Sequence, residues 1–374
     1  MSQEPYYPGL EGVVAGETAI SSLTDGLRYR GYLIDELAEG GTFIETAYLL
    51  LYGDLPNDEE LADFRAILEE SAVLEEPIIE FLRNIPLHVK AMDVLRTGIS
   101  MLSHFDSQVD EESTPANLAK ATRLLAQIPL LIAARHRLRL GLPLLDSDPE
   151  LSFAGNILYL VTGNEPTPLQ ERALDVSLIL YAEHEFNAST FAARVVTSTK
   201  SDLYSSVVAA VGALKGPLHG GANEQVLGVL EEIGQPAEAE AWVRAAFAEK
   251  RRIMGFGHRI YKDGDPRATI LQGYCRKLAE VCGQLPMEET ADTIEAVVRA
   301  EKHLPPNLDW PTARLYHYLG LDVDLYTPLF VASRVSGWCA HVIEQSENNR
   351  LIRPRSRYKG QANRAFVPID QRGQ

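Results

Sequence analysis

A capping side chain followed at once by proline recurs along this chain, at Thr114-Pro115, Asp148-Pro149, Thr167-Pro168 and Thr327-Pro328. Proline at the first helical position gives up an N–H that has no intrahelical partner, so each dipeptide predicts a helix start. Gln170 stands three residues after Thr167 and Glu45 three after Thr42, completing two capping boxes. Behind such starts the apolar spacing is helical: Leu169, Ala173, Val176 and Leu180 share one stripe, as do Leu118, Ala121, Leu125, Ile128 and Ile132. Period-two strand patterns are nearly absent. The expectation is an all-α fold of about fifteen or more helices joined by short loops, too large for a simple bundle. No repeat of the length that builds a helical solenoid is present. The stretch from Ala222 to Leu319 is more polar than the rest, and Gly220-Gly221 and Gly320 bracket it in the manner of hinges.

Composition excludes several classes of function. Of 374 residues, 45% are hydrophobic and 23% charged, enough for one large core or two or three smaller ones. Lys and Arg number 35 against 52 for Asp and Glu, a net charge of -17 that opposes binding to a nucleic-acid backbone or an anionic membrane. No apolar run approaches the roughly 20 residues of a bilayer span. Met1 to Gly12 carries neither a basic residue nor an apolar stretch, so no targeting signal is read there and a cytoplasmic location is expected. Cys275, Cys282 and Cys339 are odd in number and form no CxxC, which predicts reduced thiols. Against this acidity, Arg350, Arg353, Arg355, Arg357, Lys359 and Arg364 follow one another with no acidic residue between them. That cluster reads either as a solvated tail or as one side of an anionic contact.

Four segments place a histidine or carboxylate among residues that would hold it still. His184-Glu185-Phe186-Asn187 ends the stripe begun at Leu169, so His184 faces inward, as a core histidine or as a ligand. His219 lies in the Gly/Pro turn Lys215-Gly216-Pro217-Leu218-His219-Gly220-Gly221, either a plain helix–helix turn or a site where backbone N–H groups meet an oxyanion. Gly255-Phe256-Gly257-His258-Arg259, followed by Asp265-Pro266-Arg267, lacks the strand and the Gly-Lys-Ser/Thr of a nucleotide loop and reads as a cationic loop. Asp309, within Pro305-Pro306-Asn307-Leu308-Asp309-Trp310-Pro311, is a helix cap or a carboxylate with a chemical task. Arg334 sits among Val331, Val335 and Trp338 on a strongly apolar helix, where a guanidinium is costly unless it pairs with a carboxylate, of the protein or of a ligand. The spacing of the three histidines and Asp309 matches no metal-ligand motif, so no metal is expected.

Taken in this order, the segments resemble the citrate synthase family over nearly the whole length. The resemblance includes Gly9 to Thr18, Tyr29-Arg30-Gly31-Tyr32, Leu95-Arg96-Thr97 and Asn349 to Arg355, and its compact branch also contains 2-methylcitrate synthases. It implies a large helical domain (1–221 and 321–374), a smaller one (222–320) closing over the active site, and a homodimer. It also implies that Asp309 is the base acting on acetyl-CoA, that His219 holds the thioester oxygen, and that His258 supports the ketone of oxaloacetate. His184, Arg267 and Arg334 would hold oxaloacetate with Arg353 of a neighbouring subunit, and Arg252, Ile253, Met254, Gly255 and Phe256 would touch CoA. No cofactor is implied; the alternatives are a propionyl-CoA enzyme and a silent helical scaffold. The chain departs from the family pattern at Trp310-Pro311-Thr312-Ala313, where Tyr or Phe and then Ser-Gly usually follow the aspartate, and at Lys90-Ala91-Met92, where His-Pro-Met is frequent.

Overall fold

The computed structural model describes residues 6–258 and 260–372. Among them are sixteen α-helices. The first ten are α1 (Ile34–Gly40), α2 (Phe43–Tyr52), α3 (Asp58–Ser71), α4 (Glu76–Asn84), α5 (Ala91–Leu102), α6 (Thr114–Arg139), α7 (Phe153–Thr162), α8 (Pro168–Tyr181), α9 (Ala188–Thr197) and α10 (Leu203–Leu214). The others are α11 (Asn223–Ile233), α12 (Pro236–Ala248), α13 (Pro266–Cys282), α14 (Leu285–Lys302), α15 (Asp309–Tyr318) and α16 (Tyr326–Glu347). Three two-residue strands, β1 (Ser21–Ser22), β2 (Arg28–Tyr29) and β3 (Tyr32–Leu33), form a small antiparallel sheet before α1.

Both capping boxes form as expected, at Thr42 with Glu45 and at Thr167 with Gln170. Three of the four cap–proline dipeptides are displaced or lost. Ser113, not Thr114, precedes α6, which frees the Thr114 hydroxyl to donate to Glu347. Asp148-Pro149 opens only a turn, in which Asp148 accepts from the N–H of Glu150, and Ser152 caps α7 instead. Thr327-Pro328 falls just inside α16, after a 3-10 turn at Val323–Leu325, and Thr327 bonds Glu224. In each case a side chain that suits a local cap is taken by a partner remote in sequence or a shorter turn.

α16 organises the core. It is buried on every side from Tyr326 to Ile343, as a helix surrounded by other helices must be, and α6, α9, α8, α2 and α10 pack around it. α11 to α15 pack chiefly on one another, and α13 also touches α8 and α1. None of the described helices is long and apolar enough to cross a membrane. Cys275 and Cys339 are buried free thiols, and Cys282 is exposed and free.

Candidate active site

The chain leaves α8 at Tyr181 and turns through Glu185, a non-glycine residue at φ 53, before Asn187 caps α9. Strain of this kind persists where surroundings over-determine it. Here the Glu185 N–H donates to Ser21, and Tyr29 bonds the backbone at Glu183. Held in this turn, His184 is buried, and its Nε2 lies 3.1 Å from the Tyr261 hydroxyl. Its ring meets that of His258 edge to face at 5.2 Å. Burial, then the positive charge of Arg267, pushes His184 well below the ordinary histidine range.

The other two histidines are neutral too, and their partners define which ring nitrogen faces outward. Burial and Arg334 lower His219 to about 4; burial and Arg267 lower His258 to about 4. The Nδ1 of His258 accepts from the N–H groups of Ile260 and Tyr261 at 3.2 and 3.3 Å, so its proton sits on Nε2. His219 Nε2 lies 2.8 Å from Ser189 Oγ, which already accepts from Trp338 Nε1 at 3.1 Å. The single Ser189 proton lies within reach of Asn187 Oδ1 at 2.7 Å as well as of His219 Nε2; when it goes to His219, Nδ1–H is the donor on the other side of the ring. The glycine after His219 is forced by contact, because a Cβ on Gly220 would lie 2.7 Å from Leu214.

Asp309 is not the helix cap. The Asn307 carboxamide oxygen takes the Asp309 N–H at 3.1 Å, leaving the Asp309 carboxylate for another task. Its Oδ1 accepts from the Tyr181 hydroxyl at 2.9 Å. Burial raises the carboxyl to about 6, with Tyr181, Arg267 and Arg334 pulling against that rise. The loop bearing His258 is laced to this one: Asn307 N–H donates to Gly255 O, Gly257 N–H to Pro305 O, and Asn307 Nδ2 to Gly257 O. Trp310, the departure beside the base, is fully buried and packs on Phe256 with the rings tilted and their centroids 4.6 Å apart. Pro311 is the third residue of α15, where its missing N–H has no intrahelical acceptor to lose.

Two guanidiniums complete the site. Arg267 is clamped by both oxygens of Asp265, through Nε at 2.9 Å and Nη2 at 2.8 Å, which leaves Nη1. Arg334 is buried and has no carboxylate within ion-pair distance among the described residues. Its Nε donates to Tyr181 O at 2.5 Å, it stands 4.8 Å above the Phe330 ring, and burial lowers it to about 10. The outer nitrogens of such a fork suit a carboxylate held by two parallel bonds. Tyr181 and His219 both meet that same Phe330 ring, at 4.2 and 6.1 Å, which joins the base, the Ser189-bound histidine and Arg334 in one place.

His184, His219, His258, Arg267, Asp309 and Arg334 are thus connected. Arg353 is exposed in the stretch after α16, which has no regular secondary structure, and no contact among the described residues ties it to these six. In the 252–256 segment Ile253 and Gly255 are buried, Met254 and Phe256 partly so, and Arg252 is exposed. A separate groove of about 1070 Å³, lined by Leu68, Leu130, Arg137 and Ile157 among others, contains none of these residues. Sequence reading gave no role to Tyr181, Ser189, Asp265, Tyr261 or Asn307. Asp265-Pro266 has the same cap–proline form as the helix starts and was detectable; the others meet their partners only through the fold.

A partly buried base, neutral imidazole donors and carboxylate-ready guanidiniums on a helical frame define an acid–base enzyme that acts on an anionic substrate. The family model for citrate synthase, C-terminal domain, matches residues 9–355, and the chain belongs to the citrate synthase family. It is 48% identical over 366 residues to citrate synthase 2 of Bacillus subtilis, covering 97% of this chain and 98% of that one. It is 44% identical over 361 residues to a 2-methylcitrate synthase of Mycobacterium tuberculosis, covering 96% and 91%. A solved ternary complex of carboxymethyl coenzyme A and oxaloacetate with citrate synthase from Thermoplasma acidophilum superposes with a TM-score of 0.93 at 34% identity, covering 99% of this chain and 100% of that one.

Proposed function

We propose that this enzyme condenses acetyl-CoA with oxaloacetate and water to give citrate and CoA. The observation that carries the reading is the partly buried Asp309, raised to about 6 yet mostly ionised at neutral pH, beside neutral histidines and two guanidiniums. The Asp309 carboxylate removes a proton from the acetyl methyl, and the electron pair moves onto the thioester oxygen, where His219 donates. Base and donor must act together, because a thioester methyl is a poor carbon acid. The enol carbon then attacks the oxaloacetate ketone while the Nε2–H of His258 supports the oxygen that becomes the hydroxyl. Water finally cleaves the citryl thioester, releasing the CoA thiol.

His184, Arg267 and Arg334 hold the dianionic keto acid, with Arg353 supplied by the other subunit of a homodimer. Residues 252 to 256 contact CoA, with 222–320 acting as the smaller domain that closes over residues of 1–221 and 321–374. The reaction takes place in the cytoplasm and uses no metal or organic cofactor. Relatives named for 2-methylcitrate support a second reading with propionyl-CoA, and one methylene discriminates by only about 1–3 kcal/mol. Thiol release with oxaloacetate decides between them: turnover with acetyl-CoA should exceed that with propionyl-CoA and survive a chelator. A propionyl-CoA preference moves the enzyme to the second reading, and loss on chelation with recovery on adding a divalent ion removes the metal-free mechanism.

A further inference from the structure

We propose that Tyr181 is the positioning residue that tunes the base, its phenol holding Oδ1 of Asp309 while the carboxylate is ionised and turning to Thr312 once the proton has arrived. This rests on the assignment of Asp309 as the base. Tyr181 is the last residue of α8 and is buried; its ring packs on Phe330, and its carbonyl is anchored by Arg334. The phenol is therefore fixed in place, 2.9 Å from Asp309 Oδ1 and 3.0 Å from Thr312 Oγ1. Thr312 spends its own proton on Leu308 O at 2.7 Å, so it offers Tyr181 only a lone pair.

One phenolic proton thus faces two acceptors. An ionised carboxylate attracts it more strongly than a hydroxyl does, whereas a protonated carboxyl loses that advantage. The phenol itself stays protonated, since burial, then the negative charge of Asp309, raises it well above the ordinary tyrosine range. With Oδ1 so occupied, Oδ2 is the oxygen left to take the substrate proton.

Other charges face the same carboxyl. Arg267 and Asp265 act from the start of α13, Arg334 from α16, and Tyr316 from within α15 itself. The two arginines also favour ionisation, but the bound keto acid neutralises them at the moment the base must work. Tyr181 has no such second partner among charged ligands. Its bond to Asp309 outlasts substrate binding and keeps the carboxylate ready in the loaded enzyme.

The test is the pH dependence of kcat, which reports groups in the substrate complex. Tyr181→Phe should move the acid limb up by about one pH unit, a tenfold change in the proton equilibrium. Replacement of Tyr181 by 3-fluorotyrosine, a stronger donor of the same shape, should move it down. The carboxylic C=O infrared band that disappears in Asp309→Asn gives the same titration without turnover. A folded Tyr181→Phe enzyme whose acid limb and band stay in place overturns the proposal, even if kcat falls. Near-normal turnover in Asp309→Asn removes the base assignment as well, so the two failures are told apart.

Discussion

Single side chains here take their roles from what they are denied. Asp309 is partly denied water and makes no capping bond, and its proton affinity rises toward the working pH. Asp309→Asn keeps the size and loses the base, and kcat should fall by about 10²–10⁴ while calorimetric binding of oxaloacetate persists. Arg334→Lys keeps the charge and loses the fork, so KM for oxaloacetate should rise first, by roughly tenfold or more. In the wild type, turnover should decline as pH falls through about 6, because Asp309 becomes protonated there. His219 and His258, both lowered to about 4, remain neutral through that window and do not contribute to the limb. Of these residues, His184, His219, His258 and Asp309 drew attention in the sequence by sitting in stiff or inward-facing stretches. Tyr181 and Ser189 did not, because nothing within their own helices distinguishes them from packing residues.

At the scale of elements, α15 and the 252–258 loop form one unit. Gly255 sits at φ 90, and a Cβ there would come within 2.9 Å of Trp310 and 3.1 Å of Val226. Gly255→Ala should therefore destabilise the protein by about 1–3 kcal/mol, read as a lower urea midpoint, and reduce turnover by displacing the loop against α15. Gly228, exposed within α11 with nothing near its missing Cβ, gives the opposite sign: Gly228→Ala should stabilise by about 0.5–1 kcal/mol. The Trp310 indole is accommodated because Gly255, lacking a Cβ, makes room for it. Helix existence was legible from caps and stripes, since both act within a few residues. Exact starts were not, as Thr114, Asp148 and Thr327 show: each side chain was free to choose a competing partner.

For the whole molecule, the proposed homodimer makes a quantitative claim through Arg353. In a two-fold pair, whatever one subunit lends it also receives. Arg353→Ala and His258→Ala enzymes should each be inactive, and unfolding and refolding them together should restore about one quarter of wild-type turnover, from the mixed dimers that contain one intact site. A mixture that does not exceed the average of its two parents after verified subunit exchange would assign Arg353 to its own chain or to a solvated tail. The amino-acid sequence by itself determined the helical class, the inward stripe ending at His184, the placing of the Arg334 guanidinium on an apolar helix and the family resemblance. These are local or cumulative properties, set by hydrogen-bond spacing, apolar period and residue order. Only the tertiary structure decided that the Asp309 carboxylate is not spent on capping α15, its N–H going to Asn307, that Tyr181 holds the base, that Ser189 faces His219 and that Asp265 clamps Arg267. Two of those pairings, Tyr181 with Asp309 and Ser189 with His219, join segments far apart along the chain, and the proton affinities of the site depend on burial, which arises only when distant helices have closed around it.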